Sequence, residues 1–216
     1  MTNRSKWLIA ILFVFLIAFA LPAALAGNWL WFVNDWADTL FVVLTAGMWL
    51  GATAFVDLSR PRGPRDRTDT LISLALLLAV PVSVMDRLFG PAGSLPSWLS
   101  LIGIFTAFAA IVLGISARLA LAQAYQPRTT IQPGTHLVRS GPYRYIRHPM
   151  YSAALLWAAG WPLIIGSIIG AVITGVILLP ALIARMKREE AELIKEFGQE
   201  YISYSANTWR LFPLLY

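Results

Sequence analysis

The 216-residue sequence contains no cysteine. That excludes disulfides, thiolate metal sites and cysteine nucleophiles, and it leaves the compartment open. Charge is scarce as well: 13% of residues are charged, 58% are hydrophobic, and the mean hydropathy is +0.66. Such a chain is an integral membrane protein. No glycines stand in a Gly-x-Gly-x-x-Gly order, so the cofactor loop of soluble dinucleotide-type folds is missing. No apolar run alternates with period two, which argues against a transmembrane barrel and for an all-α chain. Histidine occurs twice, at His136 and His148, and glutamate first appears at Glu189.

What the chain has instead is long apolar runs, and about 20 such residues cross the hydrocarbon core as a helix. Runs at residues 7–26, 40–56, 71–88 and 98–122 give four spans. The 36 mostly apolar residues 149–184, interrupted around Gly160, Trp161, Pro162 and again at Gly166, Ser167, read as two short spans in a tight hairpin. The first run also has the basic start and small-residue end of a signal peptide, but its length favours a retained span. Arg60, Arg62, Arg65 and Arg67 mark the loop at 57–69 as cytoplasmic, and the net charge of +6 is read as orienting the protein, with no nucleic-acid partner implied. The count is then six spans, with both termini inside. Asp86 and Arg87 read as interfacial, with an ion path as the alternative. The chain divides into spans and connector, 1–133, and a hairpin-and-tail region, 134–216, within one structural domain. After Arg185 the residues Leu193, Ile194, Phe197, Tyr201 and Tyr204 recur at three and four, the pattern of a cytoplasmic amphipathic helix.

Residues 134–151, GTHLVRSGPYRYIRHPMY, spend polarity abruptly between two apolar regions. Both histidines, three arginines and three tyrosines fall there. Pro149 suits the first position of a helix, which places His148 at a helix mouth. Free backbone N–H groups at such a mouth attract carboxylates and phosphates. Arg185 and Glu189, four apart, share a face where the last span leaves the bilayer. Since the two ends of a hairpin are neighbours, Arg147, His148, Tyr151, Arg185, Glu189 and Glu190 are expected around one cytoplasmic pocket, Arg185 toward lipid and Glu189 toward a polar ligand.

Three stretches carry a resemblance: LVRSGPYRYIRHPMY at 137–151, the pair Glu189, Glu190, and FGQEYISYSANTWRLFP at 197–213. In these residues the chain resembles the membrane-embedded isoprenylcysteine carboxyl methyltransferases and, more loosely, the phospholipid N-methyltransferases. The resemblance implies S-adenosylmethionine at the cytoplasmic face and a lipophilic acceptor, free or on a lipidated substrate, entering from the bilayer. It implies a cofactor site of His136, Leu137, Val138, Tyr143, His148, Pro149, Met150, Tyr151 and Glu189, with Arg147 and Glu190 beside them, and Arg185 near the acceptor. Arg185 and Glu189 are thus the expected catalytic pair. Two departures stand out. Thr135 takes the place where the family's histidine usually stands, with His136 one later, and bulky Trp209 lies beside the matching Arg210, both at the acceptor's entrance.

Methyl transfer from a sulfonium is an in-line displacement that needs alignment and exclusion of water, and it makes no demand for a metal. A carboxylate such as Glu189 suits the cofactor's ammonium, and a tyrosine face suits its sulfonium. The expectation is carboxyl O-methylation of an isoprenylcysteine-like acceptor. The alternatives are N-methylation of a phospholipid amine, an NADPH-dependent sterol-type reductase, and a small-molecule transporter, for which the interruption at 160–162 is the one broken-helix feature.

Overall fold

The computed structural model describes residues 82–89, 96, 98–124 and 137–214, with isolated positions at 20, 24, 27 and 72. The first two expected spans, most of the third, the basic loop at 57–69, both chain ends and His136 lie outside the described residues. Among those described, every regular element is helical. Helix α1 is Trp98–Ala124, α2 is Pro149–Ile165, α3 is Ile168–Ile173, α4 is Leu179–Phe197 and α5 is Gln199–Ala206.

Two of these helices are long and apolar enough to cross a membrane: the part of α1 from Trp98 to Leu121, and the 30-residue run Ile168–Phe197 that α3 and α4 form together. A helical residue rises about 1.5 Å, so the 24-residue stretch of α1 is about 36 Å long, against about 30 Å of hydrocarbon. Between α3 and α4 the helix widens into one π-type turn, Thr174–Leu178, where Leu179 N–H reaches back to Thr174 O. Pro180 follows at once, and its ring would press on the carbonyl four residues earlier in a regular helix; the wider turn relieves that clash.

The expected interruption at 160–162 is not a break. Helix α2 runs through Pro162 to Ile165, and the hairpin turns at Gly166 and Ser167. Pro162 has no N–H to give the carbonyl of Ala158, and Thr174 Oγ1 donates to that carbonyl from the neighbouring helix at 2.8 Å. The lost bond is thereby replaced across the hairpin. Ser167 caps α3 by accepting from Gly170 N at 3.0 Å and donates to buried Asp86 Oδ2 at 2.8 Å. Asp86 also accepts from Ile169 N, so this acid from the helical segment 82–89 closes the turn.

α1 packs along α2 with their backbones nearly touching. A Cβ on Gly103 would lie 2.6 Å from Gly160 O and 2.8 Å from Ile164 N, so the crossing requires glycine. Ala107, Ala110, Trp157, Trp161, Ile164 and Ile165 form the buried seam around it. The tail departs from its expected continuous helix: α4 ends at Phe197, Gly198 adopts φ +55°, ψ −128°, a conformation that residues with a Cβ avoid, and α5 sets off in a new direction.

Candidate active site

Among its described residues the polar stretch before α2 makes no α-helix, and His148, which precedes a proline, has a non-helical backbone. Gly141–Arg144 makes a single 3-10 turn, and residues 145–148 then run beside the end of the chain. Trp209 N donates to Tyr145 O at 2.9 Å, Arg147 N to Trp209 O at 2.8 Å, and His148 N to Arg210 O at 3.1 Å. Ser152 Oγ, fully buried, donates to Leu211 O at 2.5 Å. The tail is thus strapped across the mouth of α2.

The strap occupies the backbone N–H groups just before the mouth. The N–H groups of Arg147 and His148 are taken by the tail, those of Tyr151 and Ser152 by His148 O, and Pro149 has none. The Arg147 side chain is engaged as well: Nε donates to Glu190 Oε1 at 2.9 Å, and Nη1 donates to Ser205 O at 2.6 Å and to Thr208 O.

Glu190 is the centre of that arrangement. Its carboxylate is 2.6 Å from Arg210 Nη2, 2.9 Å from Arg147 Nε and 3.3 Å from His148 Nε2. Burial alone would raise its carboxyl, but the hydrogen bonds from His148, Arg210 and Arg147 outweigh burial and hold it well below the usual carboxylate range. Glu190 lies beyond the apolar part of its helix, clasping the α2 mouth and the tail to α4.

Beside this clasp is a cavity of about 310 Å³. Of the residues expected at a cofactor site, Leu137, Val138, Tyr143 and Arg147 line it from the mouth loop, His148, Met150 and Tyr151 from the start of α2, and Glu189 from α4. Pro149, Glu190 and Arg210 are not in its lining: Pro149 is buried in the helix start, and the other two are turned toward each other. Arg185 stands behind Tyr151, and Trp209 is 43% exposed with its backbone in the strap. The structure also adds Leu121, Leu193, Phe197, Tyr201 and Tyr204 to the lining. The last four belong to the three-and-four pattern of the tail. Periodicity shows that such a face is covered, but not that it covers a cavity.

Glu189 and Glu190, adjacent in sequence, differ completely. Glu189 is exposed and lines the cavity, with Tyr151 Oη 2.8 Å from its Oε2. The rings around it are numerous. His148 and Tyr151 stack at 5.5 Å and 28°, and Tyr201 and Tyr204 meet at 5.9 Å and 59°. Tyr204 Oη donates to Tyr143 O at 2.6 Å, and burial pushes its phenol up to about 12. Tyr201 is 2% exposed, and its hydroxyl has no hydrogen-bond partner among the described residues. Burial first, then the charge of Glu190, drives that phenol above its ordinary range, so it stays a neutral donor. The cavity thus brings the Glu189 carboxylate together with several aromatic faces and with Arg147.

The model of the family described as phospholipid methyltransferase matches residues 98–200. The chain is 27% identical over 135 residues to protein-S-isoprenylcysteine O-methyltransferase B of Arabidopsis thaliana, covering 62% of this chain and 68% of that one. It is 32% identical over 79 residues to protein-S-isoprenylcysteine O-methyltransferase of Schizosaccharomyces pombe, covering 37% and 34%. The solved structure of the eukaryotic intramembrane Ras methyltransferase, an isoprenylcysteine carboxyl methyltransferase, superposes with a TM-score of 0.61 over 100% of this chain and 88% of that chain, at 19% identity. The fold is therefore that of an integral membrane methyltransferase. More particularly, the chain resembles the isoprenylcysteine carboxyl methyltransferases in sequence and shares their fold.

Proposed function

We propose that this protein is an S-adenosylmethionine-dependent carboxyl O-methyltransferase acting on an isoprenylcysteine-like acceptor that arrives from the bilayer. The observation that carries the reading is the cavity itself: Glu189 set among His148, Tyr143, Tyr151, Tyr201 and Tyr204, against the apolar wall of Leu121, Leu137, Leu193 and Phe197. Glu189 is the partner for the donor's ammonium, and the ring faces suit a sulfonium. When bound, S-adenosylmethionine supplies an electrophilic methyl group, which passes to a carboxylate oxygen as the carbon–sulfur bond breaks.

Arg185 orients the acceptor. It is the first charged residue after the apolar residues 168–184, where an anion with an apolar tail would meet it. Alignment and water exclusion by the apolar wall then do what a strong base would otherwise do. The mouth faces the cytoplasm, as Arg139, Arg144 and Arg147 at this end indicate. The placement of His136 in the donor site rests on the resemblance alone.

The test is a pair of variants read by donor affinity and by single-turnover methyl transfer. Glu189→Gln keeps the size and deletes the charge, so donor affinity falls by about 1.5 to 3 kcal/mol, the worth of a charged hydrogen bond. Arg185→Lys loses the planar fork, so transfer slows while donor affinity holds. Equal small changes in both quantities for both variants would sink the assignment. The match to the phospholipid methyltransferase family makes an amine phospholipid the acceptor to run against the prenylated carboxylate in a labelled-methyl screen.

A further inference from the structure

Arg185 and Glu189, given to different ligands above, are joined by one hydroxyl. Arg185 Nε is 2.8 Å from Tyr151 Oη, and Tyr151 Oη is 2.8 Å from Glu189 Oε2. A guanidinium only donates and a carboxylate only accepts, so both bonds have a forced direction. The phenol oxygen accepts from Arg185, and its single proton goes to Glu189. The Tyr151 ring is held in place against His148, which Glu190 holds in turn. Tyr151 and Glu189 line the cavity, whereas Arg185 stands behind the ring.

We infer that Tyr151 is a positioning residue that couples the two ligands: a cationic group on Glu189 loosens the hold on Arg185 and readies it for an anionic acceptor. Hydrogen bonds in a chain polarise one another. While Glu189 carries its full charge it draws the phenol proton, which makes the phenol oxygen a stronger acceptor and fastens Arg185 to it. An ammonium on Glu189 offsets that pull, and the bond from Arg185 to Tyr151 weakens in favour of a bond to the acceptor's carboxylate. By linkage the acceptor tightens the donor by the same factor. The inference rests on the proposed function and names what synchronises its two sites.

The experiment measures the affinity of an S-prenylated N-acylcysteine, which carries a free carboxylate, with and without saturating S-adenosylhomocysteine. The latter keeps the ammonium and cannot methylate. Wild-type protein in lipid nanodiscs should bind the acid about fivefold or more tightly when S-adenosylhomocysteine is present, at the lower end of ordinary coupling. In Tyr151→Phe the ratio should fall to about one, and in Glu189→Gln likewise. The methyl ester of the same compound, lacking the anion, should show no coupling in any of them. Equal ratios for the acid in wild type and both variants overturn the inference and leave the proposed function standing. A wild type that binds neither compound overturns both. Should Tyr151→Phe fail to fold, Glu189→Gln decides, because that side chain is exposed.

Discussion

The two ends of the hairpin each bury a carboxylate, and they use it differently. At the turn end Asp86 accepts from a hydroxyl and a backbone N–H, closing the turn at Ser167 where helices approach through Gly170. At the mouth end Glu190 gathers Arg147, Arg210 and His148, and that clasp leaves the adjoining Glu189 exposed beside a cavity. One end is tied for packing. The other ties one glutamate into the clasp and leaves the adjacent one on a cavity wall.

Breaking the mouth clasp should give the largest effect. Glu190→Ala leaves two guanidinium groups and a histidine without their shared anion, so stability should drop by about 3 to 5 kcal/mol, read by thermal unfolding in detergent. The pH dependence follows from the lowered carboxyl. Its folded value lies below the unfolded 4.5, so the contribution is fully present above about 4.5 and is lost as pH falls toward the folded value. Wild type should therefore destabilise more steeply in acid than Glu190→Gln, and parallel acid profiles would remove the clasp from the account.

At the turn end, Asp86→Ala strands Ser167 and should cost about 1 to 3 kcal/mol while donor affinity stays at the wild-type value. A loss of donor binding there would merge the two ends into one functional unit. Thr174→Val removes the donor to Ala158 O and should cost about 1 kcal/mol. The exposed pair of Lys195 and Glu192, 2.7 Å apart on α4, belongs to neither end, and Lys195→Ala should change stability by less than about 1 kcal/mol.

Part of the cavity's lining was legible in the sequence. The run from Leu137 to Tyr151 and the pair at 189 and 190 stand out because an apolar chain has no packing reason to spend charge there. Eight of the residues so named do line one cavity. Other features were not legible. Sequence shows that Arg147 and His148 precede a helix and cannot show that Trp209 and Arg210 come back to accept from their N–H groups. Glu190 was expected at the same pocket as Glu189, but successive residues on a helix point about 100° apart, and Glu190 turns to Arg147, His148 and Arg210. Tyr201 was seen as one of a stripe, and the orphaned hydroxyl at its end has no signature in periodicity.

By itself, then, the sequence determined that the chain is helical and membrane-embedded, that Pro149 begins a helix, that Gly166 and Ser167 can end one and start another, and which short stretch gathers polar side chains. These follow from local rules: apolar length, the missing N–H of proline, and the cost of charge in lipid. Tertiary structure alone decided which carboxylate faces the cavity, which arginines are consumed in holding the tail, and that one phenol bridges Arg185 to Glu189. Those outcomes depend on contacts between residues far apart in the chain, 61 positions for Arg147 and Thr208, where a hydrogen-bonding group meets whichever partner the packed helices deliver.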